Sequence, residues 1–306
     1  MNNQVYDEGF MDYYNNIKNE LINNEITKKI KDYSKNKSDL ETYYKVGKLL
    51  SDAGKHYGEG IIKKYSETLT VELGKKYNIT LLKRIRKFYL IIEKGATMSH
   101  QLTLSHYFEL LSINDAYKVN YYIDISIKQN LSIRELRHRI KNKEYERLDE
   151  STRNKLIEKE EVLLPDLVKD PIVINNKYNY EFISEKILQK LILEDITNFM
   201  KELGEGFSFI DNEYKIKIGD SYNYIDLLLF NYIYNCFVVI ELKVTELKKE
   251  YIGQIETYMN YVDRNIGINK SKTIGIIIVK KNNKFIMEYC SDNRIISREF
   301  KITNYW

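Results

Sequence analysis

The stretch Ser221-Tyr-Asn-Tyr-Ile-Asp226-Leu-Leu-Leu-Phe230, followed after residues 231–235 by Cys236-Phe-Val-Val-Ile-Glu241-Leu-Lys243, decides how this chain is read. Each arm is a nearly continuous apolar run rich in β-formers, as expected of a strand buried on both faces. Each arm also carries ionisable groups, and an unpaired carboxylate is costly to bury. Side chains alternate along a strand, so Glu241 and Lys243 share a face. The polar break at 231–235 predicts a hairpin turn. With the turn centred between Ile233 and Tyr234, Asp226 comes directly opposite Glu241 on that same face. Two carboxylates at about 5 Å repel. A divalent cation between them removes the repulsion, and a carboxylate pair suits Mg²⁺. A buried salt-bridge network would use the same residues. An Asp, then Glu-x-Lys fifteen residues on across an apolar hairpin, favours the metal reading.

The pattern resembles the PD-(D/E)XK nuclease superfamily, with Asp226 as the motif Asp and Glu241-x-Lys243 as the (D/E)XK; Ile225 stands where the motif has proline. On the next predicted helix, Gln254-x-x-x-Tyr258 resembles the RecB-like branch of these enzymes. More closely, Gly219-Asp220, Tyr224-Ile-Asp-Leu-Leu228, Val239-Ile-Glu-Leu-Lys243, Glu250-Tyr-x-Gly-Gln254 and, upstream, Glu202-Leu-Gly-Glu-Gly-Phe207 resemble the bacterial YhcG-type nuclease family. The resemblance implies metal-dependent phosphodiester hydrolysis. Asp226 and Glu241 hold Mg²⁺ (or Mn²⁺) with the Leu242 carbonyl, Lys243 orients the attacking water, and Gln254 and Tyr258 position the site. The implied substrate is DNA, duplex or branched, in repair or in defence against foreign DNA. An RNA nuclease, or a nucleic-acid-binding docking protein with an inactive nuclease fold, stays open on the sequence alone.

Downstream, a helix is expected from about 249 to 264, a buried strand at 273–279, a short element at 284–290 and a last strand near 295–302. Upstream, 207–210 and 214–218 read as a first strand. Residues 181–203 read as one helix capped by Ser184, with Leu188, Ile192, Ile196, Phe199 and Leu203 on its stripe. Glu185 lies on that stripe. It is either the helix-borne acid that completes the metal site or a first-turn acid serving the helix dipole; Gln189 lies near the same face. The order helix, three strands, helix, strand matches the αβββαβ core that the resemblance implies, a restriction-endonuclease-like domain over 181–306.

The rest of the chain differs in character. Of 48 basic and 44 acidic residues, 26 and 21 fall in 1–150 and 22 and 23 in 151–306, balances of +5 and −1 within a total of +4. The basic surplus sits in the half that would grip phosphate. Residues 9–150 lack proline and show helical spacing throughout, which predicts an all-helical module. Gly74 ends one helix and 78–80 start the next. That next helix holds Lys83-Arg84-Ile85-Arg86-Lys87 over a core stripe of Leu82, Ile85, Tyr89 and Ile92. A helix, a glycine-containing turn and a basic helix resemble a helix-turn-helix, with Lys83, Arg84, Arg86 and Lys87 on nucleic acid; a merely solvated basic face fits the same residues. Residues 132–147 predict a second helix, opened by a Ser132-x-x-Glu135 capping box, with mixed charge. Val46-Gly47, Glu72-Leu-Gly74, Arg86-Lys-Phe-Tyr89, Leu104-Ser-His-Tyr107 and Ser132-Ile-Arg-Glu-Leu136 resemble the N-terminal module of the same family, which implies a winged-helix-like role. Between the halves, dense charge and the two prolines, Pro165 and Pro171, predict a linker or ordered arm over 151–180.

Other function classes find no support. Cys236 and Cys290 are too few for a disulfide framework or a zinc site. His56, His100, His106 and His138 lack metal-ligand spacing. No Walker, Rossmann or Gly-x-Ser-x-Gly motif occurs. With no signal-peptide pattern and no apolar run of about 18 residues, a cytoplasmic protein is expected. The oligomeric state is not legible, and a homo-oligomer fits as well as a monomer.

Overall fold

The computed structural model describes residues 8–30, 35–267 and 270–304. The chain forms two compact units, Met1–Lys141 and Asn142–Trp306. Among the described residues, no helix is long and apolar enough to cross a membrane.

The described part of the first unit is helical: α1 (Glu8–Ile30), α2 (Lys35–Tyr57), α3 (Ile61–Leu73), α4 (Ile79–Glu93), α5 (Leu104–Leu110), α6 (Ala116–Lys128) and α7 (Ile133–Lys141). Gly74 ends α3 with φ 109°, and the Asn78 side chain caps α4 by accepting from the Leu81 amide. The apolar stripe of α4 is buried through Leu82, Ile85, Phe88 and Tyr89. Helix α2 packs on both α1 and α4. Its Gly47 makes the second contact close: an added Cβ would lie 2.6 Å from the Ile85 carbonyl oxygen of α4. The Ser132–Glu135 capping box forms, with the Glu135 carboxylate accepting from the Ser132 amide at 2.9 Å and from its hydroxyl at 2.8 Å. The helix it opens stops at Lys141, short of the expected 147, because Lys143 takes a left-handed φ of 53°. No strand occurs among the described residues of this unit, so the winged-helix expectation finds helices but no β-wing.

The second unit is built on one six-stranded mixed sheet in the order β1-β6-β5-β4-β3-β2. Its elements are α8 (Glu150–Glu158), α9 (Leu164–Leu167), β1 (Ile172–Asn176), α10 (Glu185–Glu194), α11 (Ile196–Leu203), β2 (Phe207–Ile218), β3 (Ser221–Asn231), β4 (Cys236–Glu246), α12 (Lys249–Asn265), β5 (Ser271–Lys281), α13 (Lys284–Glu288) and β6 (Ile295–Asn304). Strands β2 to β4 form an antiparallel meander, and β4–β5, β5–β6 and β6–β1 pair in parallel. One sheet face packs on α10 and α11 through Leu188, Leu191, Phe199, Leu227, Val238 and Ile240. The other packs on α12 through Ile225, Leu228, Val239, Ile255, Met259 and Ile277. Gly275 brings α12 against β5, since a Cβ there would meet the Met259 sulfur at 2.5 Å. The αβββαβ order expected from the sequence is present, with two refinements. The helix expected over 181–203 breaks at Asp195, whose φ of −130° is not helical. The first strand is continuous, with a register shift between Phe209 and Asp211.

The segment from 142 to 180 is part of this unit rather than a spacer. Strand β1 pairs with β6 at the sheet's edge. Arg147 donates to Glu202 of α11 at 2.7 and 3.3 Å and to the Pro171 carbonyl at 2.6 Å, with both charged side chains buried. Lys169 pairs with Glu144 at 3.2 Å, equally buried. Arg298 of β6 donates to the Val168 carbonyl at 2.8 Å. The expected boundary near 150 and the spacer over 151–180 therefore give way to a division at Lys141/Asn142. Charges that look solvated in sequence are paired inside.

Candidate active site

The β3–β4 hairpin has the register that the sequence suggests: Leu227 faces Ile240, through to Asn231 facing Cys236. One more step places Asp226 opposite Glu241. The local geometry at Asp226 is unusual. Ile225 and Leu228 pack with α12, while Leu227 and Leu229 pack with α10 and α11, so strict alternation fails between Ile225 and Leu227. The β2 residue facing Asp226 is Glu213, whose φ is 49°. A non-glycine residue in the left-handed region costs of order 1 kcal/mol and is held there by its surroundings. The sheet changes face at Asp226, and this is what turns its carboxylate toward β4.

Five predicted residues come together. An Asp226 carboxylate oxygen accepts from the Leu242 amide at 2.8 Å. Glu241 is 1% exposed, and its Oε2 accepts from Lys243 Nζ and from Gln254 Nε2, both at 3.2 Å. Gln254 also donates to the Tyr258 hydroxyl oxygen at 3.0 Å, one turn along α12. The Glu241 Oε1 is buried with no hydrogen-bond partner. A buried oxygen of an acid normally finds a donor, so this one is aimed at a space that suits a cation.

The electrostatics follow from burial. Desolvation, then the nearby Asp226 charge, push the Glu241 carboxyl up to about 7 against the pull of Lys243. Burial also raises Asp226, opposed by the Leu242 amide and Lys243 and assisted by Glu185 and Glu213. Burial works against the Lys243 ammonium, yet attraction to Glu241 and Asp226 outweighs it and holds the lysine above its ordinary range. Tyr258 is raised by burial, with Gln254 pulling the other way.

Among the described residues, no three His, Cys, Asp or Glu side chains cluster closely enough to share a metal ion. The acids brought together are Asp226 and Glu241. Glu185 sits exposed in the first turn of α10 after the Ser184 cap, and acts on Asp226 and Lys243 through charge. The α10 side chain that reaches the site is Gln189, one turn on, whose Nε2 donates to the Asp226 main-chain oxygen at 3.2 Å. The Leu242 group seen on the site is its amide. Glu213 was not expected; the gap between the two strand pieces at 211–213 was its only trace.

In the first unit, Lys83, Arg84 and Lys87 are exposed on α4. Arg84 stacks over the Phe108 ring at 4.0 Å. Arg86 differs: its guanidinium is drawn in to Glu59 and packs beside Gly54. It is a tie within the helical unit, whereas the other three form the outward arc.

The comparisons agree with this architecture. Residues 17–147 match the DUF1016 N-terminal domain, and residues 165–305 match the YhcG PDDEXK nuclease domain. The YhcG protein of Escherichia coli (strain K12), a nuclease by name, is 23% identical over 309 residues, spanning 85% of this chain and 82% of that protein. Among solved structures, a repair endonuclease from Pyrococcus abyssi is 22% identical over 41% of this chain, with a TM-score of 0.29. An EndoMS–dsDNA complex is 21% identical over 42%, also at 0.29. The chain spans about half the length of each of these structures, 49% and 48%. With both domain matches in order along one chain, this protein belongs to the YhcG-type family of PD-(D/E)XK nucleases.

Proposed function

We infer that the chain is a divalent-metal-dependent deoxyribonuclease whose site is Asp226, Glu241 and Lys243. The observation that carries this is the buried, unpartnered Glu241 Oε1 beside the Asp226 carboxylate. Two desolvated acids side by side are costly unless a cation joins them. Asp226, Glu241 and the Leu242 carbonyl would hold Mg²⁺ or Mn²⁺, with Glu185 acting through its charge from α10. When bound, the cation supplies Lewis-acid polarisation of a phosphoryl oxygen.

The remaining roles belong to the chain itself. Lys243, kept protonated, orients the attacking water and faces the negative charge that develops on the phosphoryl oxygens. Gln254 fixes the Glu241 carboxylate through Oε2, and Tyr258 fixes Gln254. Gln189 holds the Asp226 backbone. Lys83, Arg84 and Lys87 of the helical unit would meet DNA phosphates, a role in which each contact releases counterions and makes binding salt-dependent.

The test is incubation of the pure protein with plasmid, linear duplex, branched DNA and RNA, with and without Mg²⁺ or Mn²⁺. Cleavage of DNA that needs the metal, and is lost in Asp226→Ala and Glu241→Ala proteins that still fold, is the expected result. Cleavage of RNA alone would move the substrate to RNA. No cleavage by a folded protein would leave a nucleic-acid-binding docking role.

A further inference from the structure

The β2–β3 hairpin continues beyond Asp226 as a two-stranded ribbon closed by Gly219-Asp220. Gly219 has a φ of 60°, as expected for the first position of a type II′ turn. One side of the ribbon is core: Ile216 and Ile225 are buried with Tyr214 and Ile218 packed beside them. That burial locks the register, because a one-residue slip would exchange the two faces.

The opposite side carries Lys215 facing Tyr224 and Lys217 facing Tyr222. All four are exposed, and the tyrosines remain 57% (Tyr222) and 52% (Tyr224) accessible. The Lys215 ammonium lies 3.8 Å from the centre of the Tyr222 ring, and that of Lys217 lies 6.0 Å from it. Among the described residues, neither lysine has an ion pair. Cross-strand Lys–Tyr contacts alone would account for a stable ribbon. They do not account for two adjacent rings left half bare, or for two uncompensated charges. Tyr224 is two residues from Asp226, about 7 Å at a strand's rise, and Tyr222 is about as far again.

We propose that the Lys215–Lys217–Tyr222–Tyr224 face is a track that leads a single-stranded segment of DNA to Asp226 and Glu241. The lysines hold phosphates and the tyrosines stack bases. The proposal rests on the nuclease reading above. A single strand is the occupant because its bases can be splayed onto aromatic rings, whereas a duplex offers no base faces along its side. Charge complementarity with the phosphate backbone and continuity with the acid pair both point to the same ligand.

The test measures binding of a labelled oligo(dT) to the full-length protein by fluorescence anisotropy, in EDTA so that no cleavage intervenes, at several salt concentrations. Lys215→Ala with Lys217→Ala should weaken binding about tenfold at low salt. It should also flatten the log–log salt slope by about 1.4, or 0.7 for each of two phosphates released. Tyr222→Leu with Tyr224→Leu keeps an apolar strand and removes the rings. It should cost tenfold or more on oligo(dT) and less than twofold on a duplex of the same length, while the Phe pair binds within twofold of wild type. The proposal is overturned if all variants bind oligo(dT) within twofold of wild type, or if the Leu pair weakens duplex binding as much as single-strand binding. The two readings fail separately. Oligo(dT) binding through these residues without any metal-dependent cleavage sinks the nuclease reading and keeps the track. Cleavage by variants that bind and cut single strands as wild type does sinks the track alone.

Discussion

At the scale of single residues, Glu241 carries the most information. Its carboxyl is pushed from 4.5 to about 7 by burial and by Asp226. A raised acid favours the protonated form in the folded state. Its stabilising contribution is therefore full below about pH 4.5 and lost as pH rises through about 7. A shift of this size corresponds to something on the order of 3 kcal/mol. Metal-free protein should melt at lower temperature at pH 8 than at pH 6, and Glu241→Gln should flatten that dependence; equal slopes for both proteins in EDTA would sink the assignment. Because metal takes the ionised acids, Mg²⁺ should raise the melting temperature more at pH 8 than at pH 6. Lys243 is tied to the same group, since its charge pulls the Glu241 carboxyl down. Lys243→Ala should lower turnover by about a hundredfold or more while shifting the pH midpoint of Mg²⁺ stabilisation upward, readable by thermal shift. A variant that loses turnover with that midpoint unmoved would separate Lys243 from Glu241. This site was legible because strand alternation and one hairpin turn suffice to bring Asp226 against Glu241. Gln189 and Glu213 were not legible as contacts. The first depends on how α10 lies across the sheet, and the second on a left-handed residue in the middle of a strand.

At the scale of elements, close packing accounts for much of what composition alone conceals. Gly47 reads as one more small residue in a helix, yet it lets α2 approach the α4 backbone at Ile85. Gly47→Ala adds helix propensity but forces the two helices apart. The net should be a loss of about 1–3 kcal/mol, seen as a lower melting temperature with the nuclease unit's spectroscopic signature unchanged. An equal or higher melting temperature would mean that α2 can shift without cost. The elements most clearly read in sequence are those with long periodic runs: α3, α4, α12 and the β3–β4 hairpin. Strand β1 escaped, since Ile172-Val-Ile174 is a short run between a proline and two asparagines, and its partner lies 128 residues away at Phe300. The break at Asp195 also escaped, because apolar spacing continues through it from Ile192 to Ile196.

At the scale of the whole molecule, the division falls at Lys141/Asn142, and this changes how the protein should be cut. A fragment of residues 142–306 keeps Arg147–Glu202, Lys169–Glu144 and β1. A fragment beginning at residue 181 leaves Glu202 buried without Arg147, and stranding one partner of a buried pair costs about 3–5 kcal/mol. The longer fragment should express folded and melt cooperatively, and the shorter should be unfolded or aggregate. Comparable melting of the two would show that 142–180 is dispensable. The sheet order has a further consequence, in time rather than space. Strand β6 lies between β1 and β5, so the first strand of this unit to be synthesised waits for the last one before it has a neighbour. Pairing across such a separation is slow and comes late. A chain stalled on the ribosome before residue 295 would hold Asp226, Glu241 and Lys243 in a sheet open at β5, with β1 unattached. Limited proteolysis of chains ending at residue 294 should cut freely within 142–180. The nuclease would then mature only once its synthesis is nearly complete, and a half-made chain would carry no finished blade.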